Sequence, residues 1–200
     1  FRKQGKIDQA IKLHENIISK KELKEHHYYQ TLEELAEDYY TAGLYDKSEE
    51  IFKKLIDIKN HKNSSLGKLI QIYEYTCEWD KALSTIEKLN SIDPSNEYKK
   101  NIPQYLCQIS EKCITENDLE KAELYIDKAK ATKSSSSRIL FVSIQIALKK
   151  RELEKAVELY NKLCEISDLG HLILLPDLIA TAKHNGQINQ VNGMIQGICD

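Results

Sequence analysis

Proline and glycine are scarce in this chain, at three and seven of 200 residues. An all-β fold needs a turn signal roughly every ten residues, so that class is excluded. Arginine is limited to Arg2, Arg138 and Arg151, and 29 basic residues stand against 31 acidic ones, a net charge of −2. So balanced a chain offers no electrostatic footprint for nucleic acid. There is no long apolar run: the best candidate, 172–182, is short and carries Pro176 and Asp177. A spanning helix needs roughly 18 or more such residues, so no membrane-spanning segment is expected in this sequence. No basic stretch and apolar core lead to a cleavage site, so no secretory signal is read. The cysteines, Cys77, Cys107, Cys113, Cys164 and Cys199, never form a CxxC pair. They read as reduced, mostly buried thiols of a cytosolic protein. At 41% hydrophobic residues the chain is too apolar to be disordered.

Catalytic signatures are missing as well. The sequence holds no GxGxxG, no GxxxxGK[ST], no GxSxG and no EF-hand loop. His14-Glu15 opens like a zinc-protease motif, but the second histidine is absent. His26 and His27 are adjacent and point apart on a helix. Glu33-Glu34, Glu49-Glu50 and Asp118/Glu120 read as solvated faces or turns. Gly193 and Gly197 form a GxxxG without the apolar segment that membrane pairing requires. Residues 134–137 read as a serine loop whose last member, Ser137, caps the next helix. The chain is expected to be no enzyme and to hold no cofactor or metal.

What is present is a repeat. Six blocks align, beginning at Gly5, Gly43, Cys77, Asn117, Arg151 and Gly186. Each is closed five residues on by Ala10, Ser48, Ala82, Ala122, Ala156 or Val191. The closing positions are 38, 34, 40, 34 and 35 residues apart, the period of a helix–turn–helix repeat with two insertions. Apolar residues at helical spacing precede each later block: Leu35, Ala36, Tyr39; Leu66, Leu69, Ile70, Tyr73; Leu106, Ile109, Cys113; Ile144, Ala147; Leu178, Ala182. Others follow it: Phe52, Leu55; Ile86, Leu89; Ile126, Ala129; Tyr160, Leu163; Ile195, Ile198. The block is then the turn between two helices. Gly5, Gly43, Asn117 and Gly186 suit a left-handed backbone, and an acid or Asn near the start of the second helix complements its dipole and caps it. The small closing residue lets the helices approach closely.

These residues resemble the tetratricopeptide repeat, with Ala36, Gly43, Phe52 and Pro94 at the expected small, turn, aromatic and terminator positions. Ser110, Ser143 and Arg151 depart from the usual choices. The resemblance implies an all-α fold, a right-handed superhelical solenoid of antiparallel helix pairs. Residues 1–26 form a half repeat, followed by repeats 27–61, 62–103, 104–137, 138–170 and 171–200. Residues 1–20 read as a second helix whose first helix is missing, and Asp200 ends the array without a capping helix. The chain therefore reads as the excised middle of a longer one. In this register Glu33, Glu37, Tyr40, Gln71, Glu74, Tyr75, Glu111, Gln145 and Lys149 line the concave, partner-binding face. Tyr40 and Tyr75 offer amphipathic contact surface there. The Lys/Asn clamp that some repeat co-chaperones use for a terminal carboxylate is replaced by Glu33/Glu37, Gly67/Gln71, Cys107/Glu111, Phe141/Gln145 and Pro176/Ala180. None of these pairs forms it.

Three stretches are more specific. They carry Phe1, Arg2, Gln4, Gly5, Asp8, Ala10, Ile11 and His14; then Asp38, Tyr39, Ala42, Gly43, Leu44 and Asp46; then Gln71, Ile72, Tyr73, Trp79, Asp80 and Ala82. In this order and spacing they resemble the lipopolysaccharide assembly protein B family. The resemblance implies an adaptor on the cytoplasmic side of the Gram-negative inner membrane. Its members have an amino-terminal anchor and a carboxy-terminal rubredoxin-like module that binds iron or zinc through two CxxC pairs. They promote degradation of the LpxC deacetylase by the membrane protease FtsH and so restrain lipopolysaccharide synthesis. Neither anchor nor CxxC pairs stand in this sequence. The expected partners are proteins, FtsH and LpxC by resemblance, with a homodimer also open. The second reading is a repeat scaffold that recruits envelope or glycan-synthesis enzymes without controlling proteolysis.

Overall fold

The computed structural model describes residues 5–20, 23–132, 136–166, 170–189 and 191–193. Among them all regular structure is helical, and the chain divides into two compact units, Phe1–Lys99 and Lys100–Asp200. The first unit contains α1 (Ile7–Ile18), α2 (Glu25–Thr41), α3 (Tyr45–Leu55), α4 (Lys62–Tyr75) and α5 (Trp79–Ile92). The second contains α6 (Ile102–Thr115), α7 (Leu119–Ala131), α8 (Ser137–Lys149), α9 (Leu153–Ile166) and α10 (Leu175–His184).

Each first helix ends in the same backbone figure. Gly43 has φ +75°; its N–H donates to the Tyr40 carbonyl at 3.0 Å, and the Leu44 N–H donates to Tyr39 at 2.9 Å. This is the Schellman closure, which satisfies carbonyls a helix end leaves without partners. It recurs at Cys77/Glu78, Asn117/Asp118, Arg151/Glu152 and Gly186/Gln187. Cys77, Asn117 and Arg151 adopt φ of +58°, +61° and +61°, so the left-handed residue is present in every block, including two where the side chain does not favour it. A Cβ at Gly43 would meet nothing within 4 Å; the torsion alone asks for glycine there.

The tight turn brings the two helices together at the closing residues, small in five of the six blocks. Ala10 is 4% exposed, and Ser48, Ala82, Ala122, Ala156 and Val191 are wholly buried. Around them pack the two apolar stripes: Phe52, Leu55, Ile70, Ile86 and Ile126 are buried, and Ile144, Tyr160, Leu163, Leu178 and Ala182 share one core in the second unit. Each such Leu, Ile or Phe side chain contributes about 1.5–3 kcal/mol on removal from water. Ile195, Ile198, Cys199, Gly197, Asp200, Ser134 and Ser135 lie outside the described residues.

Helix starts differ in detail from expectation. Acids do occupy first turns, Asp8, Asp46, Asp80, Glu120 and Glu154 among them. Yet the side chain that caps α7 is Asp118, accepting from the Lys121 N–H at 3.1 Å, not Glu120. At α8 the cap is Ser136, which accepts from the Arg138 N–H at 3.2 Å, and Ser137 is already the first helical residue. The cap needs extended backbone, which Ser136 has at φ −95°, ψ 130°.

The longest insertion also has a structural role. The 3₁₀ segment Glu97–Asn101 follows α5 and carries Tyr98 over α4, where the Gln71 side-chain amide donates to the Tyr98 hydroxyl at 3.0 Å. Gly67 makes room for that ring: a Cβ there would stand 3.3 Å from the Tyr98 oxygen.

Candidate partner-binding surface

Within each unit polar ties join neighbouring helix pairs, and some recur with the period of the fold. In the first unit Tyr39 donates to Glu15 Oε1 at 2.7 Å and Tyr73 donates to Glu49 Oε1 at 2.9 Å, each across 24 residues. Helix α1 thus holds α2 as α3 holds α4, the behaviour of a repeat's second helix. Burial, then the bond to Glu15, pushes the Tyr39 phenol up to about 12. Tyr73 is raised for the same reasons, with Glu49 in the partner role. For Glu49 itself burial works upward, but the hydrogen bonds from Lys53 and Tyr73 outweigh it and hold the carboxyl below its usual range. His14, the residue that opened the zinc-protease-like string, places Nδ1 2.7 Å from Oδ2 of the fully buried Asp38.

A second set of ties runs between first helices. His61 Nδ1 lies 2.6 Å from Glu33 Oε2, and the Ser64 hydroxyl donates to Glu33 Oε1 at 2.8 Å. Lys68 pairs with Glu37 at 2.7 Å. In the second unit Arg138 pairs with Glu111 at 2.5 Å, and Lys150, just past the end of α8, pairs with Glu123 of the second helix α7. Glu33 and Glu49 are therefore half-buried bonding groups rather than solvated ones. Sequence periodicity could not show this, because their partners lie 24 to 31 residues away.

The nine residues read as lining the groove fall into four situations. Glu33, Glu37 and Glu111 hold bases of the next first helix. Gln71 is half-buried against Tyr98, so the chain's own insertion lies on that part of the face, and Glu74, three residues on, is half-buried. Gln145 and Lys149 line a cavity of about 240 Å³ with Ile114, Leu148, Asp177, Ala180 and Thr181, all in the second unit. Tyr40 and Tyr75 belong to a ring cluster completed by Tyr45. The Tyr40 and Tyr45 centroids are 5.7 Å apart in an edge arrangement, and those of Tyr45 and Tyr75 are 4.8 Å apart. Tyr75 is 68% exposed. Tyr45 and Lys68, whose ammonium lies 5.7 Å from the Tyr40 centroid, were not legible as part of this face. Tyr45 sits on a second helix, and only the turn geometry brings it across.

Among the described residues the cysteines are not grouped as a rubredoxin-like centre would need. Cys107 and Cys113 are buried, Cys164 is half-buried, Cys77 is exposed, and burial pushes the Cys107 thiol up to about 11. A metal needs the thiolate. Among the described residues no group of three or more His, Cys, Asp or Glu is placed to hold a metal ion. Among the same residues no helix is long and apolar enough to cross a membrane.

Helix pairs closed by one recurrent turn, tied at a fixed period and presenting a first-helix face, define a tetratricopeptide-repeat protein. A solved tetratricopeptide repeat protein from Parabacteroides merdae has the same fold, with a TM-score of 0.52 at 15% identity over 99% of this chain and 74% of that one. No family model matches the chain. In sequence it is similar to lipopolysaccharide assembly protein B of Escherichia coli K12, 30% identical over 158 residues, 79% of this chain and 40% of that protein. The Haemophilus influenzae protein of the same name is 27% identical over 177 residues, 88% of this chain and 44% of its own length. The chain spans less than half the length of these curated relatives.

Proposed function

We propose that this chain is the protein-binding repeat region of an adaptor that restrains lipopolysaccharide biosynthesis, acting on the cytoplasmic side of the inner membrane. It binds without chemistry of its own: it holds the protease FtsH and the deacetylase LpxC together, so that LpxC is degraded. Holding two proteins on one array raises their effective concentration to the level set by the array's span, and this accelerates proteolysis with no active site. The observation that carries the reading is the 30% identity to lipopolysaccharide assembly protein B over 79% of the chain, on a repeat fold suited to protein contact.

Crosslinking and co-purification with the full-length protein from cells test it. Recovery of FtsH together with LpxC is the expected result. Recovery of glycan-synthesis transferases with no protease would overturn it in favour of an envelope-assembly scaffold.

A further inference from the structure

Lysines recur over the tyrosine rings of the first unit. Lys47 lies 5.2 Å from the Tyr39 centroid, Lys81 lies 5.4 Å from that of Tyr73, and Lys68 lies 5.7 Å from that of Tyr40. The first and second pairs are repeat equivalents, each eight residues apart. A cation over a tyrosine face is attracted by the ring quadrupole. Tyr75 is the most exposed ring of the set, at 68%, and among the described residues no lysine or arginine is placed over it. Tyr45 packs against it on one side, with centroids 4.8 Å apart and the rings tilted by 42°.

The helices that bear Tyr40 and Tyr75 are predominantly acidic. Helices α2 and α4 carry six carboxylates, Glu25, Glu33, Glu34, Glu37, Asp38 and Glu74, against two lysines, Lys62 and Lys68, a formal balance of −4. The first helices of the second unit carry two carboxylates, Glu111 and Asp177, against Lys112, Arg138, Lys149 and Lys183, a balance of +2. The second helices of the first unit are close to neutral: α3 and α5 each balance, and α1 carries −1. Among the helices of the first unit the excess of negative charge is thus concentrated on those that bear Tyr40 and Tyr75. Local charge of this sign disfavours phosphate backbones and anionic headgroups, and favours a cation.

We propose that the Tyr40–Tyr45–Tyr75 cluster on α2, α3 and α4 is a docking site for an arginine side chain in an extended basic segment of a protein partner. The guanidinium stacks on the free face of Tyr75, as the Lys68 ammonium lies over Tyr40, and the acidic balance of α2 and α4 draws the rest of the segment in. Arginine is favoured over lysine because its planar, weakly hydrated head stacks on aromatic faces at less desolvation cost. This names the chemistry of a partner for the adaptor reading above and rests on that reading, but its test is independent of LpxC.

The test is a titration of the 200-residue chain, carrying ¹³C-labelled tyrosine, with an eight-residue Gly/Ser peptide holding two arginines. Parallel titrations use the same peptide with citrulline and with glutamate in place of arginine. The arginine peptide is expected to shift the ring signals of Tyr75 and Tyr45, the citrulline peptide to bind at least about fivefold more weakly, and the glutamate peptide not to bind. Tyr75→Phe should retain the interaction and Tyr75→Leu should lose about fivefold or more in affinity. Because Tyr75 is exposed, both variants should melt as the parent does. An unmoved Tyr75 ring, equal binding of the citrulline peptide, or undiminished affinity in Tyr75→Leu would each overturn the proposal. So would tighter binding of a single-stranded oligonucleotide at the same ring. Any of these could occur while LpxC turnover still depended on the full-length protein, so the two readings fail separately.

Discussion

The Ser48 hydroxyl donates to the Ala36 carbonyl at 2.8 Å, with both residues fully buried where α2 and α3 meet. Seventy-four residues on, the same contact exists with the roles exchanged: Ser110 of α6 donates to the Ala122 carbonyl of α7, also at 2.8 Å and also across twelve residues. Small side chains serve this crossing because they admit the neighbouring backbone, and a hydroxyl is tolerated because a carbonyl's second lone pair is within reach.

Substitutions there should separate size from bonding. Ser48→Ala removes one hydrogen bond and leaves a carbonyl that still accepts within its helix, so we expect a loss of about 0.5–1.5 kcal/mol. Ala82→Leu at the equivalent crossing of α4 and α5 overpacks a fully buried position and should cost roughly 1–3 kcal/mol. Circular-dichroism denaturation measures both. An Ala82→Leu melt with no shift would contradict the assigned crossing.

The left-handed turn residues give a prediction of opposite sign. Arg151 and Cys77 hold φ near +60°, a conformation that costs non-glycine residues roughly 1–2 kcal/mol. Arg151→Gly relieves that strain, partly offset by the greater freedom of glycine in the unfolded chain, for a net gain of up to about 1 kcal/mol. The hydrogen bond from Asn185 to the Arg151 carbonyl is unaffected, being made to backbone. Gly43→Ala should destabilise by about 1 kcal/mol through the torsion alone. Denaturant midpoints at constant slope check the pair.

These turns also mark how far the sequence was readable. The block period, the small closing residues and both apolar stripes follow from periodicity, because burial on one side of a helix must recur every three or four residues. At Cys77 and Arg151 the fold imposes a torsion that the side chain does not announce. The alignment of the blocks placed them; residue preference did not. The bonds of Glu33, Glu49 and His14 were invisible for a different reason. Each depends on a partner in the neighbouring helix pair, and a solvated carboxylate and a bonded one look alike in a sequence. Tyr98 belongs to an insertion, whose course no repeat pattern dictates. Tyr45 joins Tyr40 and Tyr75 only once the turn has been built.

Stability should depend on pH through Glu49. Its carboxyl titrates lower in the folded chain than in the unfolded one, so the unfolded state binds more protons in the acid range. The contribution is present above the unfolded value, about 4.3, and is lost as pH falls through the lower folded value. Glu49→Gln should flatten the decline in melting temperature on acidification below about pH 5. Tyr73→Phe should reproduce part of that flattening and cost about 1–2 kcal/mol at pH 7. An unchanged acid limb in Glu49→Gln would show that the Tyr73–Glu49–Lys53 contact does not contribute.

At the surface, Tyr40→Ala with Tyr75→Ala should spare folding and weaken partner binding. Tyr40 is half-buried and Tyr75 exposed, so the cost in melting temperature should be small beside the loss of affinity. Affinity measured against the partner recovered by crosslinking checks this. An unchanged value would place the contact on another face.

The adaptor reading is tested most directly by the half-life of LpxC in cells from which the full-length protein is depleted. The account predicts that LpxC persists and accumulates on depletion, that returning the intact protein restores its rapid loss, and that the Tyr40→Ala, Tyr75→Ala form restores it less. An LpxC half-life that does not change when the protein is removed would contradict the account.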